Sequence, residues 1–188
     1  MRFNIFKNTV NRRNLNKEDG IQYIHKSDYN ELIKVFDKVF PDTIGFNEKY
    51  IIKNSNIKIS RVFILNNEII GFYMLKDLSN NENKNIILLL NSLGYNFNIN
   101  NYKGLEGVAL GVIPELKSLG YGKKLLNYVY DDLTPKYDFI FGQHFDHLNN
   151  LKQWKKKRII LSNPKDEVHI SFQFLDNKLQ NKLMNNEI

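Results

Sequence analysis

The passage from a glycine-interrupted apolar run into a basic, leucine-rich run constrains the fold more than any other part of the sequence. The run GLEGVALGV (Gly104 to Val112) is typical of a strand, and the segment from Gly122 to Leu133 carries apolar residues at helical spacing. Gly120 and Gly122 lie between the two runs, one residue apart, in a chain that has only ten glycines. Because glycine permits positive φ and close approach to the backbone, we predict a strand, a turn and a helix whose free N–H groups face the turn.

Three lysines beside these glycines make the turn a candidate phosphate-binding site. Lys117, Lys123 and Lys124 add positive charge to that of the helix dipole. The P-loop spacing is absent, because position 117 is not glycine and position 124 is not serine or threonine, and no G-x-G-x-x-G occurs. From the residues alone, a turn that merely ends the strand remains the alternative.

Composition indicates one folded domain. The 188 residues are 42% hydrophobic and 13% aromatic, enough for a buried core, and the absence of cysteine excludes disulfides and a thiol nucleophile. The N-terminal segment lacks the apolar core of a signal peptide, and the longest apolar run, Ile86 to Leu90, is too short to span a bilayer. We therefore expect a cytoplasmic protein with no membrane partner. The net charge of +7 favours anionic partners, although charge alone is better explained by a solubilising surface.

Periodicity along the chain gives the order βα(α)ββ, insertion, βα, βα, ββ, which indicates one α/β domain. After the first strand, Ser27 and Asp28 are predicted N-caps of the first helix, and Glu31 is placed to complete a capping box. Pro41 ends this helix. Asn66 and Asn67 predict a two-residue hairpin turn. The predicted strands are 21–25, 57–65, 68–78, 104–112, 137–142 and a final pair around the turn NPKD, and the segment 79–102 is either a helix or an ordered insertion.

Lys117-Ser118-Leu119-Gly120-Tyr121-Gly122, preceded by Val112-Ile113-Pro114-Glu115, resembles the Q/R-x-x-G-x-G/A signature of the GNAT acetyltransferases. The element order from about residue 20 to 175 is similar to that of the family as well. The resemblance implies a GNAT fold, with a mixed sheet of six to seven strands splayed between the fourth and fifth and flanked by about four helices. The acyltransferase domain would span 20–188, with 79–102 as a variable insertion. The polar segment 1–19, which is mixed in charge, is predicted to be an N-terminal arm or an edge strand.

The resemblance also implies where acetyl-coenzyme A would bind. Backbone amides of the signature loop would hold the pyrophosphate, and the splayed end of the strand would pair with the pantetheine arm. No metal is implied. The coenzyme-binding residues implied in this way are Leu110, Val112, Lys117, Ser118, Leu119, Gly120, Tyr121, Gly122, Lys123 and Asn150.

Glu106 is the candidate general base, because protein-acetylating GNAT members carry a glutamate at the corresponding place in the strand. The alternative is an exposed strand carboxylate without a catalytic role. Many members carry a tyrosine, the proton donor, on the helix after the second splayed strand. Trp154 stands at that place here, and an indole N–H does not titrate in water.

A histidine-rich cluster and a basic run could each have a functional role or be ordinary surface structure. His144, Asp146 and His147 form a local cluster that is a poor metal site without a distant ligand. A substrate contact, the missing acid or a surface loop with a helix cap are the other interpretations. The basic run 155–158 is typical of a solvated helix end, and since no RNA-binding motif accompanies it we do not expect a nucleic-acid partner.

These observations together predict an N-acetyltransferase that moves an acetyl or other acyl group from acetyl-coenzyme A to an amine acceptor by direct attack in a ternary complex. The alternative is a coenzyme-binding or scaffolding domain of the same fold with weak catalysis. The acceptor, the acyl chain length and a homodimeric state are left open by the sequence.

Overall fold

The strand-like runs of the sequence form one mixed sheet of seven strands in the order β1-β2-β3-β4-β5-β7-β6. A computed structural model of the protein describes residues 19–41, 52–92, 94, 96, 102–134, 136–145, 159–162 and 168–175. The β4–β5 pair is parallel and the other pairs of this sheet are antiparallel, so the predicted mixed sheet is confirmed. The strands are β1 (Gly20–Tyr23), β2 (Arg61–Leu65), β3 (Glu68–Asp77), β4 (Gly104–Val112), β5 (Phe139–Phe145), β6 (Ile159–Ser162) and β7 (Val168–Phe174).

Helices cover the two faces of this sheet: α1 (Tyr29–Val39), α2 (Asn80–Ser92) and α3 (Tyr121–Leu133). Side chains alternate between faces along a strand, and on β3 Phe72 and Met74 pack with α1 whereas Tyr73 and Leu75 pack with α3. Helix α2 packs on Phe139, Phe172 and Phe174, on the α1 side. The helix predicted to carry Trp154 lies outside the described residues. None of the described helices is long and apolar enough to cross a membrane.

The insertion between β3 and β4 contains a capped helix. Helix α2 is preceded by Ser79, whose Oγ accepts from the Glu82 N–H at 3.3 Å, while Glu82 Oε2 accepts from the Ser79 N–H at 2.8 Å. This reciprocal pair is a capping box. The capping box predicted with Glu31 is wrong, because the N-cap Asp28 makes no side-chain cap and its Oδ2 accepts from the His25 N–H at 2.8 Å. Glu31 Oε1 accepts from the Ile69 N–H at 2.6 Å, which joins α1 to the start of β3.

Turn chemistry sets the ends of β2. Asn66 and Asn67 have φ of 51° and 67°, as the predicted hairpin turn requires. The strand predicted from residue 57 begins instead at Arg61. The reason is a turn closed by Asn56, whose Oδ1 accepts from the Lys58 N–H at 2.9 Å and whose carbonyl accepts from the Ser60 N–H at 3.0 Å.

An ion pair between a buried arginine and a partly exposed aspartate joins α3 to the sheet. Arg61 on β2 is 1% exposed, donates to a carboxylate oxygen of Asp132 on α3, and bonds the Ser60 carbonyl at 2.9 Å. Its guanidinium carbon also lies 3.6 Å from the centre of the Tyr23 ring. A buried cation is tolerated only when it is paired, so Asp132 compensates the charge that Arg61 brings into this interface.

We expect Asp132→Asn to lower the free energy of unfolding by about 3 kcal/mol, because Arg61 would keep its charge in a buried site without a counter-ion. Denaturant unfolding measures the change. Asp131→Asn, at the exposed neighbouring position on α3, is the matched control and should change stability by less than about 0.5 kcal/mol. Equal stability of both variants would contradict a compensating role for Asp132.

Candidate active site

Strands β4 and β5 part in the middle of the sheet. Their parallel pairing joins residues 104–107 to residues 139–142 and ends at Gly107 opposite Gly142. Beyond that pair β4 continues to Val112 on the β3 side, and β5 continues to Phe145 on the β7 side. The two strands therefore enclose a V-shaped cleft that opens from Gly107 and Gly142, which we call the cleft vertex. The predicted splay between the fourth and fifth strands is confirmed.

A β-bulge lies at the cleft vertex. In the register of β3 and β4, Met74 is opposite Ala109 while Leu75 is opposite Gly107, so Val108 is an extra residue on β4. A bulge bends the strand that carries it. Because Val108 directly follows the last β4–β5 pair, the bulge accounts for β4 turning away from β5 at this point.

The backbone of β4 presents alternate residues to the cleft. The Ile113 N–H donates to the Ile70 carbonyl at 2.9 Å, which fixes the hydrogen-bonded positions of this antiparallel pair. In such a ladder every second residue bonds the neighbouring strand and the intervening residues turn their N–H and C=O away from it. The intervening residues here are Leu110 and Val112, whose peptide groups therefore face the side that β5 has left.

The N-terminus of α3 lies just beyond the end of β4. After a 3-10 turn at Pro114–Leu116, Ser118 and Gly120 take positive φ of 67° and 84° and α3 begins at Tyr121. Its first intrahelical bond runs from the Lys124 N–H to the Gly120 carbonyl, so the N–H groups of residues 121–123 have no partner within the helix.

This helix end carries no acidic residue in its first turn and no side-chain cap at Gly120. Lys117, Lys123 and Lys124 are exposed around it. The helix dipole, the free N–H groups and the lysines all favour an anion here, and the residues present fit a pyrophosphate group.

Glu106 lies one residue before the cleft vertex, opposite Lys76 on β3 and Phe141 on β5. Its side chain is 30% exposed, and one oxygen lies 3.5 Å from Lys76 Nζ. Lys76 Nζ also donates to Glu82 Oε1 at 2.6 Å, so the lysine bridges two carboxylates. The hydrogen bond to Glu82, together with the charges of both carboxylates, raises the pKa of Lys76.

Solved structures show which fold this arrangement belongs to. The ribosomal-protein-S18-alanine N-acetyltransferase of Escherichia coli superimposes with a TM-score of 0.57 at 10% identity, over 84% of this chain and 92% of that one. A GNAT-family acetyltransferase of Staphylococcus aureus Mu50 superimposes with a TM-score of 0.58 at 17% identity, over 85% of this chain and 100% of that one. The chain has the GNAT fold.

The same comparison includes a protein with other chemistry. GphF, a GNAT-like decarboxylase in complex with isobutyryl-CoA, gives a TM-score of 0.61 at 13% identity, over 83% of this chain and 99% of that one. No protein-family model matches the sequence, and no curated protein matches it significantly. The GNAT fold therefore identifies the architecture, whereas the reaction depends on the residues of the site.

The GNAT fold brings most of the candidate site residues to one region. Leu110 and Val112 line the cleft, the loop from Lys117 to Lys123 follows directly, and Glu106 lies at the cleft vertex. Asn150 and Trp154 lie outside the described residues. The sequence interpretation missed Lys76, whose contact with Glu106 depends on a cross-strand register that the sequence alone does not give.

The histidine cluster differs from its prediction. The strand predicted at 137–142 is β5 at Phe139–Phe145, so His144 belongs to a strand rather than to a surface loop. Asp146 and His147 lie outside the described residues. The part of the chain that the structure describes contains no group of three or more metal-type ligands.

The two signature glycines differ in their structural requirement. Gly120 has a φ of 84°, which strains any other residue, although a methyl group there would meet nothing within 4 Å. A methyl group on Gly122 would lie 3.6 Å from Val112 Cγ2, an ordinary contact. The backbone conformation therefore requires glycine at 120, whereas neither the conformation nor the packing of the protein requires it at 122.

We expect Gly120→Ala to lower the free energy of unfolding by about 1–2 kcal/mol because alanine resists the left-handed conformation. Gly122→Ala should leave stability unchanged or raise it by up to about 1 kcal/mol, since alanine favours a helix. Denaturant unfolding without ligand measures both variants. Equal destabilisation by the two substitutions would contradict the distinction.

Proposed function

We propose that the protein is an N-acyltransferase that uses acetyl-coenzyme A as acyl donor and an amine as acceptor. The observation that carries the proposal is the cleft between β4 and β5, which opens beside the uncapped, lysine-flanked N-terminus of α3. An extended donor with an anionic group at one end and amides along its arm matches these two features together. Solved structures that share this fold include N-acetyltransferases and complexes with coenzyme A or an acyl-CoA, which supports the same class of donor.

The donor is held mainly by backbone. The N–H groups of residues 118–123 receive the pyrophosphate, and the side chains of Lys117 and Lys123 add charge. The peptide groups of Leu110 and Val112 pair with the pantetheine amides as a neighbouring strand would. Asn150 is the further contact that the family resemblance implies. The bound donor supplies an acyl group activated as a thioester, positioned at the cleft vertex.

Glu106 then acts on the acceptor. An amine is protonated at neutral pH and must lose a proton before it can attack a carbonyl. Glu106 lies beside the cleft vertex with part of its side chain exposed, so it can take that proton directly or through one water. Because the chain has no cysteine, an acyl-cysteine step is excluded, and the amine attacks the thioester directly in a ternary complex.

Several acceptor classes fit this chemistry. Among proteins of the same fold, one acts on the alanine of a ribosomal protein and another, from Aedes aegypti, on arylalkylamines. The second candidate function is a coenzyme-binding domain with weak catalysis, which Trp154 favours because it stands where a proton donor is expected. Stabilisation by acetyl-coenzyme A without transfer to any amine would support this second function.

Lys123→Glu tests the pyrophosphate position. A carboxylate in the first helical turn should not destabilise the free protein, because it interacts favourably with the dipole. It should weaken acetyl-coenzyme A binding about 10-fold by repelling the pyrophosphate. Titration calorimetry measures the affinity, and Lys136→Glu, beyond the far end of α3, is the matched control. Equal affinity in both variants would remove this loop from the donor site.

Glu106→Gln tests the base. We expect the turnover number to fall about 100-fold near neutral pH with little change in acetyl-coenzyme A affinity, because only proton removal is affected. Thiol release with agmatine, tyramine and an N-terminal alanine peptide measures turnover. Glu115→Gln, an exposed carboxylate in the 3-10 turn, is the matched control. Undiminished turnover of Glu106→Gln would contradict the assignment.

A further inference from the structure

Gly107 makes room for a tyrosine hydroxyl at the cleft vertex. A methyl group on Gly107 would lie 2.9 Å from the hydroxyl oxygen of Tyr73 and 3.3 Å from its ring. Tyr73 lies on β3 opposite Leu110, and its side chain is 4% exposed. The ring therefore runs from the level of Leu110 back toward Gly107, and the hydroxyl reaches the point where β4 and β5 part.

Tyr73 and Glu106 lie on opposite faces of the sheet. Tyr73 packs with the α3 side chains, and the methyl position of Gly107 points at Tyr73 on that face. Glu106, the preceding residue on the strand, points to the other face, where it meets Lys76 and where Glu82 of α2 approaches. A reacting group at the cleft vertex thus has a carboxylate on one side and a phenol on the other.

We propose that Tyr73 is the proton donor to the leaving thiolate, an assignment that rests on the acyltransferase function proposed above. The helix expected to carry a tyrosine has Trp154 at that place, and Tyr73 supplies the missing group from a different element. Tyr73 is a catalytic residue in this assignment because its hydroxyl touches the sulfur.

The proton balance is as follows for an ammonium acceptor. Glu106 takes one proton from nitrogen, nitrogen bonds the carbonyl carbon, and the C–S bond breaks with its electron pair on sulfur. The Tyr73 O–H gives its proton to that sulfur, and the phenolate recovers one from water. Nitrogen loses a second proton to water as the amide forms, and Glu106 returns its proton to solvent. The products are the amide, the free thiol and one proton.

A phenol can pass its proton to a leaving thiolate. The pKa of a phenol is about 10 and that of a thiol about 8.5, so the two acids are close enough for a proton to pass as the C–S bond breaks. Without a proton donor the leaving group would be an unpaired thiolate, and an unpaired anion is costly wherever the bound donor excludes water.

Tyr73→Phe tests the assignment. With acetyl-coenzyme A and the best amine of the panel, we expect the turnover number to fall about 100-fold and the donor affinity to stay within about threefold. With S-acetyl-4-nitrothiophenol, whose thiolate leaves without a proton, the loss should shrink to about threefold. Loss of packing alone would slow both donors equally, and that result would overturn the proposal.

Two further variants keep the test decisive. Tyr137→Phe removes a hydroxyl from the same face, one bonded to Asp77 rather than near Gly107, and should not change the ratio of the two donor rates. Gly107→Ala displaces the Tyr73 hydroxyl and should reproduce the selective loss if Tyr73→Phe folds poorly. Wild-type turnover in a folded Tyr73→Phe protein would overturn the proposal while the acyltransferase function stands. A wild-type protein that binds acetyl-coenzyme A but acylates no amine would overturn both.

Discussion

The interrupted ladder between β4 and β5 is the constraint on which the candidate site depends. Central strands usually satisfy both edges of their backbone, because buried N–H and C=O groups without partners are costly. Here β3 and β7 hold one edge of each strand, and the bulge at Val108 directs β4 away from β5. The inner edge of β4 is thereby left to face a cleft. An extended ligand with amide groups can bond that edge as another strand would.

The bounds of β4 could be predicted from the sequence, but the reasons for its glycines could not. The run Gly104 to Val112 forms the predicted strand. The bulged residue is Val108, which carries no local signal. A methyl group on Gly104 would collide with the Phe139 ring, and one on Gly111 with Val39. These requirements come from distant parts of the chain, so local sequence reasoning could not find them.

The same limit applies to the site. The loop from Lys117 to Lys123 could be found because a helix N-terminus has a local signature in glycine, lysine and apolar spacing. Lys76 and Tyr73 could not, since a strand residue meets its cross-strand neighbour only in the correct register, and one bulge shifts that register. A usable signal was the spacing Ser79-x-x-Glu82, a capping box that predicts where α2 begins.

Helix α2 couples the insertion to the electrostatics of Glu106. Glu82 caps its own helix and holds Lys76, and its pKa is lowered to about 2 by the hydrogen bond from Lys76 and by those with Ser79. The pKa of Lys76 is raised in turn. Both groups therefore keep their charges throughout the neutral range, and the cation beside Glu106 does not titrate there. Helix α2 therefore supplies, through Glu82, one of the two carboxylates that Lys76 bridges, and the other is Glu106 at the cleft.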